Sequence, residues 1–144
     1  MKKRYLLLTL IITLMAAMVV LSGCETSDDM ETPIDADTIS VTMSIDYPVK
    51  SDIPDVEDVV LTVEEDATVL DMLQVYCASN DTPVTVELMS SEVQGINNVL
   101  NGEYGNDRKW FYSLNDKSIS TMPGEKEIKD GDSVMWYYRA APQK

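Results

Sequence analysis

Histidine is absent from the 144-residue sequence, and cysteine occurs only twice. Without an imidazole, the chain lacks the Ser-His-Asp and Cys-His pairs of common hydrolases, the usual zinc sites and a histidine pH switch. The two cysteines, Cys24 and Cys77, are too few for a disulfide framework. Cys77 lies in register with Leu70 and Leu73 on a helical face, so we expect a small buried apolar residue there. These absences favour a protein that is not an enzyme.

Basic residues are also scarce. Lys and Arg number 11 against 25 Asp and Glu, which gives a formal charge of −14. Three of the basic residues, Lys2, Lys3 and Arg4, lie at the extreme N-terminus, so the rest of the chain is more acidic still. Nucleic acid and anionic lipid head groups both require cations on their partner, so neither is an expected partner of this surface. The acidity is explained by a solvated surface.

The N-terminus has the layout of an export signal. Its three cations precede an uncharged, mostly apolar run at residues 5–22 that ends in small side chains. Leu21-Ser22-Gly23-Cys24 resembles the lipobox of bacterial lipoproteins. The resemblance implies that residues 1–23 are a signal peptide and that Cys24 becomes an acylated N-terminus anchored in the cell membrane. The alternative is an uncleaved transmembrane anchor, because the apolar run is just long enough to span a bilayer. Both arrangements predict an extracytoplasmic location.

Residues 24–38 form a polar segment with six acidic and no basic side chains. Like charges repel and there is little apolar surface to bury, so this segment is predicted to be a disordered tether. A single domain is expected at residues 39–140, where hydrophobic periodicity begins.

The periodicity predicts a mixed α+β domain. Alternating or continuous apolar runs predict strands at residues 39–45, 59–63, 84–88, 110–114 and 134–138. Thr68 followed by Asp71 resembles a capping box, which predicts a helix that runs to about Ser79. Residues 95–107 carry three glycines and four asparagines, and little regular structure is expected there. Strands with one helix predict a mixed sheet with that helix on one face.

Aromatic residues concentrate near the C-terminus, where seven of the ten lie from Tyr104 onward. Strand residues alternate between faces, so Trp110 and Tyr112 point one way and Phe111 the other. The last predicted strand is likewise apolar on both faces. One helix covers only one face of a sheet, so some rings are expected to stay exposed and to mark a binding site. The alternative is that residues 95–107 fold over these rings and bury them.

Several motifs together resemble the transcobalamin-like C-terminal domain of bacterial surface lipoproteins. They are Thr68-Val69-Leu70-Asp71, Gly95-Ile96-Asn97, Trp110-Phe111-Tyr112-Ser113-Leu114-Asn115, Lys129-Asp130-Gly131-Asp132 and Val134-Met135-Trp136-Tyr137-Tyr138. The resemblance implies a β-grasp-like fold, in which a sheet curls around one helix. The family usually has Asn-Gly at the hairpin, whereas this chain has Asn115-Asp116.

The resemblance also implies a ligand site, because the corresponding domain of the vitamin carriers closes over cobalamin. The candidate ligand-binding residues, carried over by position, are Trp110, Tyr112, Asn115, Ser118, Ile119, Ser120, Thr121 and Met122. The implied function is capture of cobalamin, another corrinoid or a related small ligand, which a membrane importer would then take up.

Two other functions remain open. The same aromatic strands would serve a protein-interaction or adhesion module at the cell surface. Acidic clusters at residues 52–58 and 64–66 would suit a metal-binding surface protein, although the sequence has no Asp-x-Asp-x-Asp-Gly calcium loop. No metal ligand set is assigned.

Overall fold

The computed structural model describes residues 37–141. The predicted signal peptide, Cys24 and nearly all of the predicted tether lie outside this range. Within it, no helix has both the length and the apolar character that crossing a membrane requires.

The described part of the chain contains eight strands and one α-helix, with two short 3₁₀ turns at Val49–Ser51 and Pro123–Glu125. In chain order the elements are β1 (Thr38–Asp46), β2 (Val56–Glu64), α1 (Val69–Ser79), β3 (Val84–Val86), β4 (Val93–Ile96), β5 (Val99–Leu100), β6 (Arg108–Leu114), β7 (Lys117–Ser118) and β8 (Ser133–Ala140). The α+β prediction is confirmed, because a sheet-dominated architecture carries a single helix.

The main sheet has five strands in the order β2-β1-β8-β6-β7. β1 pairs with β8 in parallel, while the β1–β2, β6–β8 and β6–β7 pairs are antiparallel. The sheet is therefore mixed, as the sequence predicted. β1 alternates as expected, with Ile39, Val41, Met43 and Ile45 buried and the serines and threonines between them on the other face.

A second sheet of three antiparallel strands, β3-β4-β5, was not predicted. The expectation of little regular structure at residues 95–107 is wrong for the first part of that range. Asn97 and Asn98 have φ values of 51° and 65°, so they form a two-residue turn that brings β4 and β5 together. Val93, Ile96 and Val99 bury their side chains in the common core. β3 is shorter than predicted and ends at Val86.

The helix begins as the sequence predicted. The Thr68 side chain accepts a hydrogen bond from the Asp71 N–H, and the Asp71 carboxylate accepts one from the Thr68 N–H, which completes the capping box. The buried face of α1 includes Met72, Leu73 and Cys77. Burial raises the pKa of the Cys77 thiol to about 11. Cys77 is thus the small buried residue that was expected, and its thiol stays protonated and unreactive at neutral pH.

Candidate functional site

A tight hairpin joins β6 to β7 through Asn115 and Asp116. Their φ values of 51° and 63° place both residues in the left-handed region that a type I′ turn requires. Asn and Asp tolerate this conformation better than other residues with a side chain, so the turn forms without the usual glycine. The Asn115 side chain donates to Asp132 Oδ1 and accepts from the Ser133 N–H. Both polar atoms of the Asn115 side chain therefore hold the turn against the start of β8.

The chain leaves the sheet soon after this turn, because β7 contains only Lys117 and Ser118. The Ile119 N–H still reaches the Tyr112 carbonyl, at 3.4 Å, and the Tyr112 hydroxyl donates to the Thr121 carbonyl at 2.8 Å. Residues 118–122 consequently run beside β6 at a distance that leaves a cleft between them. We call this cleft, which has a volume of about 410 Å³, the hairpin groove.

The hairpin groove brings together most of the residues that the sequence singled out. Lining it are Trp110 and Tyr112 of β6, all five residues of 118–122 and, from β8, Trp136, Tyr137 and Arg139. Asn115 is the one candidate ligand-binding residue that does not line it. The role of these candidate residues in ligand binding remains a prediction.

Trp110 lines the groove, and its ring is buried, as the alternative of a covering segment at residues 95–107 predicted. Its side chain is only 4% exposed, and its indole N–H donates to the Val99 carbonyl at 2.8 Å. Tyr47 and Tyr138 pack against the ring edge-to-face, with centroids 5.6 and 5.4 Å away. β5 lies over the indole, and a role for Trp110 in ligand binding stays a prediction.

The rings that remain accessible belong to the opposite face of the sheet. Phe111 and Tyr137 are half-buried neighbours whose rings stack with centroids 6.2 Å apart and an interplanar angle of 21°. The Arg139 guanidinium lies over both rings, 4.8 Å from the Tyr137 centroid and 5.4 Å from that of Phe111. The Ser118 hydroxyl lies 3.0 Å from the Tyr137 hydroxyl. We call Phe111, Tyr137 and Arg139 the outer cluster.

Cations at this rim contrast with the acidic sequence. Lys109 Nζ lies 5.5 Å above the Phe111 ring and forms an ion pair with Glu92 at 2.7 Å. Arg139 is exposed and forms no ion pair within residues 37–141. The outer cluster therefore offers a positive charge beside two accessible rings, an arrangement that suits an anionic group on a ligand.

The buried wall of the groove contains one polar group without a hydrogen-bond partner in the described part of the chain. Trp136 is 2% exposed, and its indole N–H is the only buried side-chain polar atom in residues 37–141 that has no hydrogen-bond partner. Burial raises the pKa of the neighbouring Tyr112 hydroxyl to about 12, so this group stays neutral and keeps donating to Thr121. An unpaired buried donor costs free energy, so the Trp136 N–H is an unsatisfied donor in the wall of the groove.

Sequence reasoning missed Phe111, Tyr137, Arg139 and Trp136 as groove residues. The alternation of faces already separated Phe111 from Trp110, but the pattern did not say which face would be covered. A usable signal was the spacing of Lys109 and Arg139 two residues from Phe111 and Tyr137, which places each cation on the same face as its ring.

The acidic clusters do not build a metal centre. No group of three His, Cys, Asp or Glu side chains between residues 37 and 141 is placed to hold an ion. A depression of about 490 Å³ beside the start of α1 is larger than the hairpin groove, but it gathers Glu64, Asp66 and Asp71 without a cation or an aromatic ring. The groove has both a cation and aromatic rings for a ligand to contact, so the groove is the better candidate site.

Two solved structures are similar to this chain in fold. One is haptocorrin in complex with Cbi (cobinamide), with a TM-score of 0.62 and 16% identity. The match covers 74% of this chain and 26% of haptocorrin, so this chain corresponds to about a quarter of that protein. The other is a protein from Ruminococcus gnavus ATCC 29149 that is named as a candidate metal-binding protein. Its TM-score is 0.50 at 12% identity, with 72% of this chain and 99% of that protein covered.

No curated protein matches the sequence. A family model does match, over residues 66–140, from just after β2 to the end of β8, and this stretch includes α1 and the groove. This stretch exceeds half of the chain. The chain therefore belongs to the family described as Domain of unknown function (DUF4430).

Proposed function

We propose that this protein is a non-catalytic binding protein whose hairpin groove receives a corrinoid or a related small ligand. The observation that carries the proposal is the groove itself, where apolar rings, hydroxyl groups and a cation converge beside the segment at residues 118–122. Such a mixture of an apolar wall with a few polar groups is typical of small-molecule sites.

The likeness in fold to haptocorrin supports this choice of ligand class, since that structure holds Cbi. Both similar structures are named for binding rather than for catalysis. We describe the arrangement as β-grasp-like, because the five-stranded sheet carries the single helix α1 on its buried face.

The size of the groove limits how a corrinoid would sit. A volume of about 410 Å³ lies near the lower end of the roughly 300–1,000 Å³ of small-molecule pockets, which is too little to enclose a whole corrin macrocycle. We expect one edge of the ligand to enter the groove beside Ile119 and Met122. The hydroxyls of Ser118, Ser120 and Thr121 would bond to amide side chains around its periphery, and the rest would lie against the outer cluster.

The proposed cellular setting rests on the N-terminal sequence. Acylation of Cys24 would anchor the protein to the membrane, and the acidic tether would hold the domain away from the surface on its extracytoplasmic side. A membrane importer is the proposed recipient of the ligand. The membrane anchor is a proposal that follows from the lipobox resemblance, and the importer is one that follows from the transcobalamin-like resemblance.

The ligand proposal is tested by titrating the purified protein with cobinamide and with cobalamin, using absorbance and calorimetry. We expect binding by the parent. Tyr112→Phe should weaken it about tenfold, because the lost hydroxyl frees residues 118–122 from β6. Tyr104→Phe is the matched control, since the Tyr104 hydroxyl forms no hydrogen bond within residues 37–141. A parent protein that binds neither corrinoid would refute the proposed ligand.

The anchor proposal is tested by cell fractionation. Cys24→Ala should leave an unlipidated protein that is slowly processed or released from membranes, because acyl chains contribute about 0.8 kcal/mol per buried CH₂ and none would remain. Cys77→Ala is the matched control and should stay with the membranes. If Cys24→Ala remains membrane-bound after its signal has been removed, the protein is not held by a lipid on Cys24.

A further inference from the structure

The edge of β6 that faces the hairpin groove presents two backbone groups without a partner. Alternate residues of a strand direct their N–H and C=O groups to the same edge, and Trp110 and Tyr112 direct theirs away from β8. The Trp110 N–H donates to Asn101 Oδ1 at 2.9 Å, and the Tyr112 C=O accepts from Ile119. The remaining two groups, the Trp110 C=O and the Tyr112 N–H, have no hydrogen-bond partner within residues 37–141.

The Trp110 C=O and the Tyr112 N–H are spaced to hydrogen-bond with a single residue of an added parallel strand. In parallel pairing, a single residue bonds through its N–H and its C=O to the residues before and after its neighbour. A residue placed opposite Phe111 would therefore donate to the Trp110 C=O and accept from the Tyr112 N–H. An antiparallel strand would also need the Trp110 N–H and the Tyr112 C=O, which Asn101 and Ile119 already occupy.

The same geometry specifies the side chains of the added strand. Paired residues of neighbouring strands share a face, so the residue opposite Phe111 would lie beside the outer cluster, where Arg139 lacks an ion-pair partner within the described residues. The residues before and after it would point to the buried wall formed by Tyr112 and Trp136. The charge and the alternation together fit an apolar–acidic–apolar sequence.

We propose that β6 accepts an extended apolar–acidic–apolar segment of a partner protein as an added parallel strand. This goes beyond the proposed corrinoid ligand, because it concerns the free backbone edge of β6 and a different class of partner. Addition of a strand to a sheet edge is an established mode of peptide recognition, in which backbone bonds supply affinity and alternate side chains supply specificity. The free edge at Trp110–Tyr112 is three residues long, or about 10 Å.

The net charge of −14 does not prevent an acidic residue from docking here. At physiological ionic strength charges are screened beyond about 8 Å, so the groups close to the groove decide its attraction for an anion. Glu92 also lines the groove but is paired with Lys109, which leaves Arg139 as the cation without an ion-pair partner within residues 37–141.

The test uses a fluorescein-labelled peptide of sequence Thr-Val-Glu-Val-Thr, with both ends blocked, in a polarisation assay with the purified protein. Methylating the glutamate amide nitrogen removes the donor to the Trp110 carbonyl, and we expect affinity to fall about tenfold or more. Methylating the nitrogen of the following valine is the matched control, since that N–H points away from β6. Equal affinities for the two methylated peptides would overturn the proposal.

Two further readouts test the register and the charge. Hydrogen exchange at the Tyr112 amide should slow when the peptide binds, while exchange at the Phe111 amide, which already bonds to β8, should not change. Arg139→Gln should weaken the glutamate peptide about fivefold but leave a glutamine version unaffected, and Lys129→Gln should affect neither. No peptide binding, or no protection at Tyr112, would refute strand addition. Binding of the peptide without binding of cobinamide would retain this inference and remove the corrinoid ligand.

Discussion

The outer edge of β6 is closed along its first half and open at its middle. At the closed part, Gly102 donates to the Arg108 carbonyl, Arg108 donates to Gly105, and Asn101 accepts from Trp110. A loop and one side chain thus replace a neighbouring strand. Two residues further on, the Tyr112 N–H has no such partner within residues 37–141. The edge of β6 is thus protected residue by residue, and the stretch left open is as long as one residue of a neighbouring strand.

The two tryptophans repeat this contrast. Both are buried, at 4% and 2% exposure for Trp110 and Trp136. Trp110 has its indole N–H bonded to Val99, whereas the indole N–H of Trp136 has no partner within residues 37–141. Burial alone therefore does not distinguish the two rings, and the hydrogen bonding of the indole N–H does.

The largest expected loss of stability comes from replacing a tryptophan with phenylalanine, which compares the paired and the unpaired indole N–H. Trp110→Phe should lower the free energy of unfolding by about 3 kcal/mol, because it creates a cavity and removes the bond to Val99. Trp136→Phe should cost only about 1 kcal/mol, since the cavity is offset by the loss of an unpaired donor. Urea unfolding followed by far-UV circular dichroism measures both. Equal losses would show that the unpaired N–H carries no penalty.

A smaller loss of stability is expected from a substitution beside the first half of the β6 edge, where the backbone groups are hydrogen-bonded. Asn101→Ala should cost about 2 kcal/mol, because Asn101 accepts from the Trp110 N–H and donates to the Val93 carbonyl. Asn106→Ala is the control; Asn106 is exposed, and its variant should stay within about 0.5 kcal/mol of the parent. The same urea titration applies. A variant as stable as the parent would mean that water replaces Asn101 at this edge without loss.

The smallest effect is a change in alkaline stability. Burial raises the pKa of both Tyr47, beside Trp110, and Tyr112, in the groove, to about 12. Between pH 10 and 12 the unfolded chain loses these protons while the folded chain keeps them, so stability should fall as the pH rises. Tyr47→Phe and Tyr112→Phe should each make this fall shallower in urea unfolding measured from pH 8 to 12. An unchanged slope in either variant would show that its hydroxyl ionises as readily when folded.

Local patterns predicted the parts of the fold whose signals are local. The Thr68–Asp71 pair set the start of α1, and the alternation from Ile39 to Ile45 set both the existence and the buried face of β1. The α+β class followed from the order of these elements. The turn at Asn115 and Asp116 was also predicted, although neither residue is glycine.

The second sheet was missed because its strands are short. β4 has four residues and β5 has two, so neither is long enough to show a period of two. The signal that could have found them is Asn97-Asn98 between Ile96 and Val99, two residues that tolerate positive φ between two apolar ones. Because this sheet was missed, the burial of Trp110 under β5 remained one of two alternatives in the sequence analysis. The groove depends on such long-range contacts, and periodicity carries no information about them.

The parallel pairing of β1 with β8 has a consequence for how the domain forms. These strands lie at the two ends of the described chain, yet they are neighbours at the centre of the sheet. Until Ser133–Ala140 is available, β1 and β6 have no common neighbour and the core of Met43, Ile45 and Trp136 stays incomplete. Such distant contacts carry a high loop-closure cost and slow folding. A chain that ended before β8 would leave β1 paired only with β2 and β6 paired only with β7, each with an open edge. Pairing of the eight-residue strand β8 is therefore the closing step of folding.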